Sequence, residues 1–134
     1  MAGECSLMSE KLRILVVDDE ALVADYVADL VEEAGHEVIG IAASGEKALE
    51  HLERSAIDLA ILDIRLKGHM SGIDLAQATR ARAIPHVFIT GSGDPSTREA
   101  AEATQPLAIL QKPFSQARLV LVLSQVMRRD HPLP

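Results

Sequence analysis

Asp18-Asp19, Asp63, Thr90 and Lys112 stand at or just beyond the C-terminal ends of short apolar runs. Ile14-Leu15-Val16-Val17 leads into the acidic pair, Leu59-Ala60-Ile61-Leu62 into Asp63, Val87-Phe88-Ile89 into Thr90, and Leu107-Ala108-Ile109-Leu110 comes shortly before Lys112. Runs of this length and composition are strand material. If the strands are parallel, their C-terminal ends share one edge of a sheet, and ligands bind in the crevice outside that edge. Three carboxylates, a hydroxyl and an ammonium group then converge on one spot. That set suits Mg²⁺, a hard cation with oxygen ligands, and phosphoryl chemistry, because a carboxylate can take a phosphoryl group as an acyl phosphate. Asp63 is the expected nucleophile. Asp18 and Asp19 would repel its charge and raise its pKa unless a cation sits among them. Taken singly, each residue has a plainer role: a solvated turn for the acidic pair, a cap or β-former for Thr90, turn chemistry for Lys112-Pro113-Phe114. Their joint order carries the reading.

The elements that must position these groups follow from the same alternation. From Leu12 onward, short apolar runs alternate with amphipathic segments, which predicts an α/β fold with a parallel sheet. Strand one covers Leu12 to Val17. Helix one runs from Glu20 to Ala34, with Val23, Val27, Leu30 and Val31 on one face and Gly35 as its stop. Strand two is Glu37 to Ala42, and Ser44 caps a second helix through Glu53. Strand three is Asp58 to Leu62. The loop from Ile64 to Ser71 leads to helix three, Gly72 to Arg82. Strand four is His86 to Thr90. Asp94-Pro95 starts a short helix four, which ends before Gln105-Pro106. Strand five is Leu107 to Gln111, and Ser115 caps helix five, with Phe114 and Leu119 as a hydrophobic staple. Leu119-Val120-Leu121-Val122-Leu123 is also good strand material. The stripe of Leu119, Val122, Leu123 and Val126 favours the helix and leaves Val120 and Leu121 on an apolar outer face.

The 134 residues fit one domain, and 48% apolar residues supply its core. A net charge of -7, with lysines and arginines scattered apart from Arg128-Arg129, argues against a nucleic-acid surface. The one cysteine, Cys5, excludes an internal disulfide and a cysteine-rich metal site. No apolar stretch reaches bilayer length, and no secretory leader pattern opens the chain. Met8 offers an alternative start. Aromatics are 2%, too few for stacking on flavin or single-stranded nucleic acid. His36, His51, His69, His86 and His131 lack metal-ligand spacing and read as surface or strand-edge residues, His86 as a structural residue opening a strand. Asp74 and Asp94 read as helix-start charges.

The acidic pair after strand one, Asp63 after strand three, Thr90 closing strand four and Lys112-Pro113-Phe114 after strand five resemble the receiver domain of two-component response regulators. The resemblance spans nearly the whole chain and implies a flavodoxin-like (βα)5 three-layer sandwich with strand order 2-1-3-4-5. It divides the chain into a flexible tail at 1–10, the receiver domain at 11–129 and a C-terminal tail at 130–134. It implies that Asp63 is the phosphoacceptor, that Asp19 and Asp63 bind Mg²⁺ directly and Asp18 through water, and that the backbone carbonyl of Arg65 completes the set. Thr90 and Lys112 would hold phosphoryl oxygens, and Lys112-Pro113 would be cis, aiming Lys112 at the site.

Three departures from the family pattern stand out. Ile109 replaces the aromatic that many receivers carry three residues before the lysine, so switching would rest on Thr90 and the segment after it. Phe88-Ile89-Thr90-Gly91 resembles the Phe-Ala-Thr-Gly-type motif of a stand-alone subgroup with a mobile helix four, and the weakly anchored stretch from Asp94 to Thr104 predicts low local stability. The loop after Asp63 is one residue longer than the commonest form, lacks its proline, and places Arg65 and Lys67 beside the site.

The function implied is a phosphorylation-dependent switch in a cytoplasmic phosphorelay. A histidine kinase or histidine phosphotransfer protein would donate, and the output would pass to a downstream protein target rather than an attached domain. A homodimer through helix four, strand five and helix five is a further expectation; contacts with nucleic acid or membrane are not expected. The chain would be no enzyme beyond its own phosphoryl transfer and autodephosphorylation. The rivals are a phosphoryl sink or relay, a binding-only pseudo-receiver, a flavodoxin-like FMN carrier and a haloacid-dehalogenase-like Mg²⁺-dependent phosphatase. The phosphatase would need Asp-x-Asp after strand one, where this chain has adjacent acids. The FMN carrier would need a phosphate-cradling loop.

Overall fold

Unbroken apolar strands require cover on both faces of a sheet, and that is how this chain is built. The computed structural model describes residues 11–66, 68–91 and 94–130, with side chains through residue 126. The strands β1 (Arg13–Val17), β2 (Glu37–Ala42), β3 (Leu59–Asp63), β4 (His86–Thr90) and β5 (Ala108–Gln111) alternate with α1 (Ala21–Glu33), α2 (Gly45–Arg54), α3 (Gly72–Ala81), α4 (Pro95–Glu102) and α5 (Gln116–Asp130). All strand pairs are parallel, in the order β2-β1-β3-β4-β5. This is the expected flavodoxin-like sandwich. The proposed tail at 1–10 and residues 131–134 of the tail proposed at 130–134, with Met8, Cys5 and His131, and also Lys67, Ser92 and Gly93, lie outside the described residues.

Successive strand residues point to opposite faces, and two cores result. Ile14, Val16, Leu59, Ile61, Val87 and Ile89 pack against α1 and α5. Leu15, Val17, Ala60, Leu62 and Phe88 pack against α2, α3 and Ala101 of α4. No helix among the described residues is long and apolar enough to cross a membrane.

The punctuation of the chain works as its chemistry predicts. Gly35, at φ 94, ends α1 with paired bonds: its N–H donates to the Glu32 carbonyl, and the His36 N–H donates to that of Val31. Ser44 accepts from the Lys47 N–H, and Ser115 from that of Arg118. Asp94 caps α4 with Pro95 at its first position. Asp74 does more than supply charge: with Ser71 it forms a reciprocal capping box at the start of α3. The ambiguous run near the C-terminus is helical. Leu119, Val122, Leu123 and Val126 are buried, and Val120 and Leu121 are exposed. The helix runs through Asp130, one residue past the expected end of the domain.

His86 opens β4 as a structural residue, as expected, but it is buried rather than at the surface. It is 2% exposed on β4, between β3 and β5. Its ring is satisfied by two hydroxyls that the local sequence does not reveal, from Thr79 and Thr104.

Candidate functional site

Strand register assembles the site. Val17 of β1 lies opposite Leu62 of β3, so the next residues, Asp18 and Asp63, are neighbours. Asp63 lies opposite Ile89 of β4, one residue before Thr90. Thr90 lies opposite Gln111 of β5, one residue before Lys112. The Lys112 N–H donates to the Thr90 carbonyl at 2.8 Å, which ties the loop after β5 to the end of β4. Lys112-Pro113 is cis, as expected.

These residues border a cavity of about 340 Å³ lined by Asp19, Glu20, Asp63, Arg65, Thr90, Gly91 and Lys112. Asp18 lies beneath it, 3% exposed, and Asp63 is 7% exposed. Carboxylate oxygens of Asp18, Asp19 and Asp63 lie within 4.8 Å of one another. Asp18 Oδ1 accepts from the Glu20 N–H at 2.8 Å, and its Oδ2 is 3.7 Å from Lys112 Nζ. Asp63 Oδ1 accepts from the Arg65 N–H at 3.2 Å. The backbone beneath is tight: a Cβ on Gly72 would overlap the Asp63 carbonyl oxygen, so the start of α3 can approach β3 only with glycine there.

The electrostatics are unbalanced. Burial pushes the Asp63 pKa up to about 6, helped by the negative charge of Asp18 and, less, of Asp19; the Arg65 N–H and Lys112 pull the other way. Burial also raises Asp18, against the Glu20 N–H and Lys112. Three acids this close, two of them buried and raised, have the oxygen donors and the excess negative charge that a hard divalent cation would satisfy. The donor set therefore fits Mg²⁺.

The structure brings together Asp18, Asp19, Asp63, Arg65, Thr90 and Lys112. Ile109 lies elsewhere. It is half-buried on β5 and borders a second hollow, of about 440 Å³, between α4, β5 and α5, with Arg98, Arg118 and Leu121. Glu20 was missed as a site residue. Its Oε1 is 3.8 Å from Lys112 Nζ. A third consecutive acid after Asp18-Asp19 was the available signal, but a residue at the start of a helix gave no sign of which way its side chain would turn.

Comparison with known proteins agrees with this geometry. The chain is 32% identical over 118 residues to the transcriptional regulatory protein PdtaR of Mycobacterium tuberculosis, covering 87% of this chain and 57% of that one. It is 33% identical over 116 residues to the phyllosphere-induced regulator PhyR of Methylorubrum extorquens, covering 85% and 43%. The chain spans about half the length of such curated relatives. The receiver domain of NtrX from Brucella abortus superposes with a TM-score of 0.78 at 33% identity, over 86% of this chain and 98% of that one. A CheY-like receiver domain protein from Methanospirillum hungatei gives 0.80 at 26%, over 90% and 96%. The response regulator receiver domain model matches residues 14–124, and the chain belongs to that family.

Proposed function

We propose that this chain is a phosphorylation-controlled switch whose phosphoacceptor is Asp63. The observation that carries the reading is the gathering of Asp18, Asp19 and Asp63 within 4.8 Å, in a pocket that Thr90 and Lys112 complete. Asp18, Asp19, Asp63 and the Arg65 carbonyl would hold Mg²⁺, which when bound supplies positive charge to the phosphoryl oxygens. An Asp63 carboxylate oxygen attacks phosphorus while the donor's P–N bond breaks, and that electron pair returns to the donor imidazole, which takes a proton from water. Lys112 and the Thr90 hydroxyl hold the oxygens of the transferred group.

The donor is a histidine kinase or histidine phosphotransfer protein, and the setting is the cytoplasm. Thr90 is the switch residue. Its movement would alter the face of α4, β5 and α5, where Ile109 and the exposed Leu121 border the 440 Å³ hollow. That face would meet the downstream protein or a second copy of the chain.

Phosphoramidate with saturating Mg²⁺ tests the reading. The intact mass should rise by one phosphoryl group, mapped to Asp63, and Asp63→Asn should stay unmodified. A wild-type protein that takes up no label, or an Asp63→Asn protein labelled as readily, would overturn it.

A further inference from the structure

We propose that Glu20 is a positioning residue that holds Lys112 in reserve, competing with the incoming phosphoryl group for the lysine's charge. The proposal rests on Asp63 as the phosphoacceptor. Glu20 occupies the N-cap position of α1, yet its side chain makes no capping hydrogen bond. Its backbone is pinned instead: the N–H donates to Asp18 Oδ1, and the carbonyl accepts from the Ala24 N–H. The side chain turns to the pocket it lines, where Oε1 lies 3.8 Å from Lys112 Nζ.

Lys112 therefore sits between two carboxylates of different kinds. Asp18 is buried and belongs to the three-acid group that fits a divalent cation. Glu20 is largely exposed and stands outside that group. A cation among the three aspartates neutralises the claim of Asp18 on the lysine and leaves that of Glu20 intact. Among the described residues, four carboxylates, Asp18, Asp19, Glu20 and Asp63, stand at the pocket with two cations, Arg65 and Lys112, an excess of negative charge that a divalent ion offsets. An arriving phosphoryl group must then draw Lys112 away from Glu20. Without the Glu20 charge that competing pair is gone.

The strength of an exposed ion pair sets the size of the effect. Glu20→Gln should tighten beryllofluoride, the phosphoryl stand-in, by about two- to fivefold in the presence of Mg²⁺. Salt at 1 M shortens the screening length to about 3 Å, so the tightening should shrink there. Glu20→Asp keeps the charge but withdraws it by one methylene, and should behave like Glu20→Gln. Fluorine NMR measures the affinity. The Lys112 ε-methylene resonance of the metal-free protein, which reads the ion pair without any ligand, should move in both variants, while thermal midpoints confirm folding. An unchanged or weaker affinity, a tightening that persists at 1 M salt, an unmoved Lys112 resonance, or a wild-type-like Glu20→Asp would overturn the proposal. Failure of the Asp63 reading looks different: no beryllofluoride binding by any of the three proteins.

Discussion

Strand β4 begins with His86 and ends with Thr90, and all five of its residues are buried. Polar groups are buried at both ends, under different terms. At the first end the His86 ring is 3.4 Å from Thr79 Oγ1 through Nδ1 and 2.9 Å from Thr104 Oγ1 through Nε2. The Thr104 hydroxyl donates to the Ala101 carbonyl, so it accepts from His86 Nε2–H, which leaves Nδ1 unprotonated. The Thr79 hydroxyl donates to the Ala76 carbonyl at 2.8 Å and shares that proton, more weakly, with the unprotonated Nδ1 at 3.4 Å. The ring edge meets Phe88 in a T-shaped contact at 5.1 Å. This network is neutral and closed. At the other end, beside Thr90, acids outnumber bases among the described residues, and the Asp63 pKa is raised. A closed polar network holds a fold together; an unbalanced one stores a demand that a ligand can meet.

The largest test breaks the closed end. His86→Ala removes a fully packed ring, takes one partner from each of two buried hydroxyl groups and leaves a cavity. The expected loss is about 3–4 kcal/mol, read as a drop in the urea midpoint with an unchanged slope. A loss below about 1 kcal/mol would mean the network is not a staple of the fold.

The pH dependence sharpens the contrast, because the two ends respond with opposite signs. Burial, with Arg80 nearby, lowers the His86 pKa to about 4. The unfolded chain binds that proton near the ordinary value of 6.5, so the contribution of His86 is whole above about pH 6.5 and is lost as pH falls toward 4. Asp63, raised to about 6, runs the other way: its charge costs stability above pH 6, and that cost is relieved as pH falls from 6 toward 4. Each swing is worth about 3 kcal/mol. Without divalent ions the two nearly cancel over that window. Asp63→Asn should therefore be about 2–3 kcal/mol more stable than wild type at pH 7, with the lead gone by pH 4. Urea titrations in chelator at several pH values check this, and an Asp63→Asn protein no more stable at pH 7 would show that the pocket carries no such charge strain.

The two ends also differ in how far they could be read from the sequence. Asp18, Asp63, Thr90 and Lys112 were legible because each closes or follows an apolar run, and parallel topology brings strand ends together whatever their separation in the chain. The helix caps were legible because Ser44, Asp94-Pro95 and Ser115 act on residues within one turn. The His86 network was not: Thr79 and Thr104 lie on a helix and in a turn, and only packing of α3 and α4 on the sheet makes them its partners. Glu20 falls between these cases. Its place next to the acidic pair was plain, but its direction depends on the hold of Asp18 on its N–H. The run from Leu119 to Leu123 was ambiguous in composition and settled by the four-residue stripe it buries.

A smaller test links the closed end to the proposed switch. Helix α4 buries one residue, Ala101, and Thr104 just beyond it is fully buried against His86. The other end of α4 is held by the Asp94 cap, which accepts from the Thr97 N–H and the Ser96 and Thr97 hydroxyls. So α4 is fastened to the core mainly at its C-terminal end, through the same histidine that opens β4. Thr104→Val keeps the shape and removes the hydroxyl, leaving His86 Nε2–H without its acceptor at a cost of about 1–2 kcal/mol. If the strain falls on the weaker partner, α4 should detach before the sheet does. Amide exchange in Pro95–Glu102 should then speed up about five- to thirtyfold, while β3 and β4 keep their protection. Equal acceleration in β4 would place the Thr104 bond in the global fold rather than in the tether of α4, and would separate the stable end of the strand from the switch it is proposed to serve.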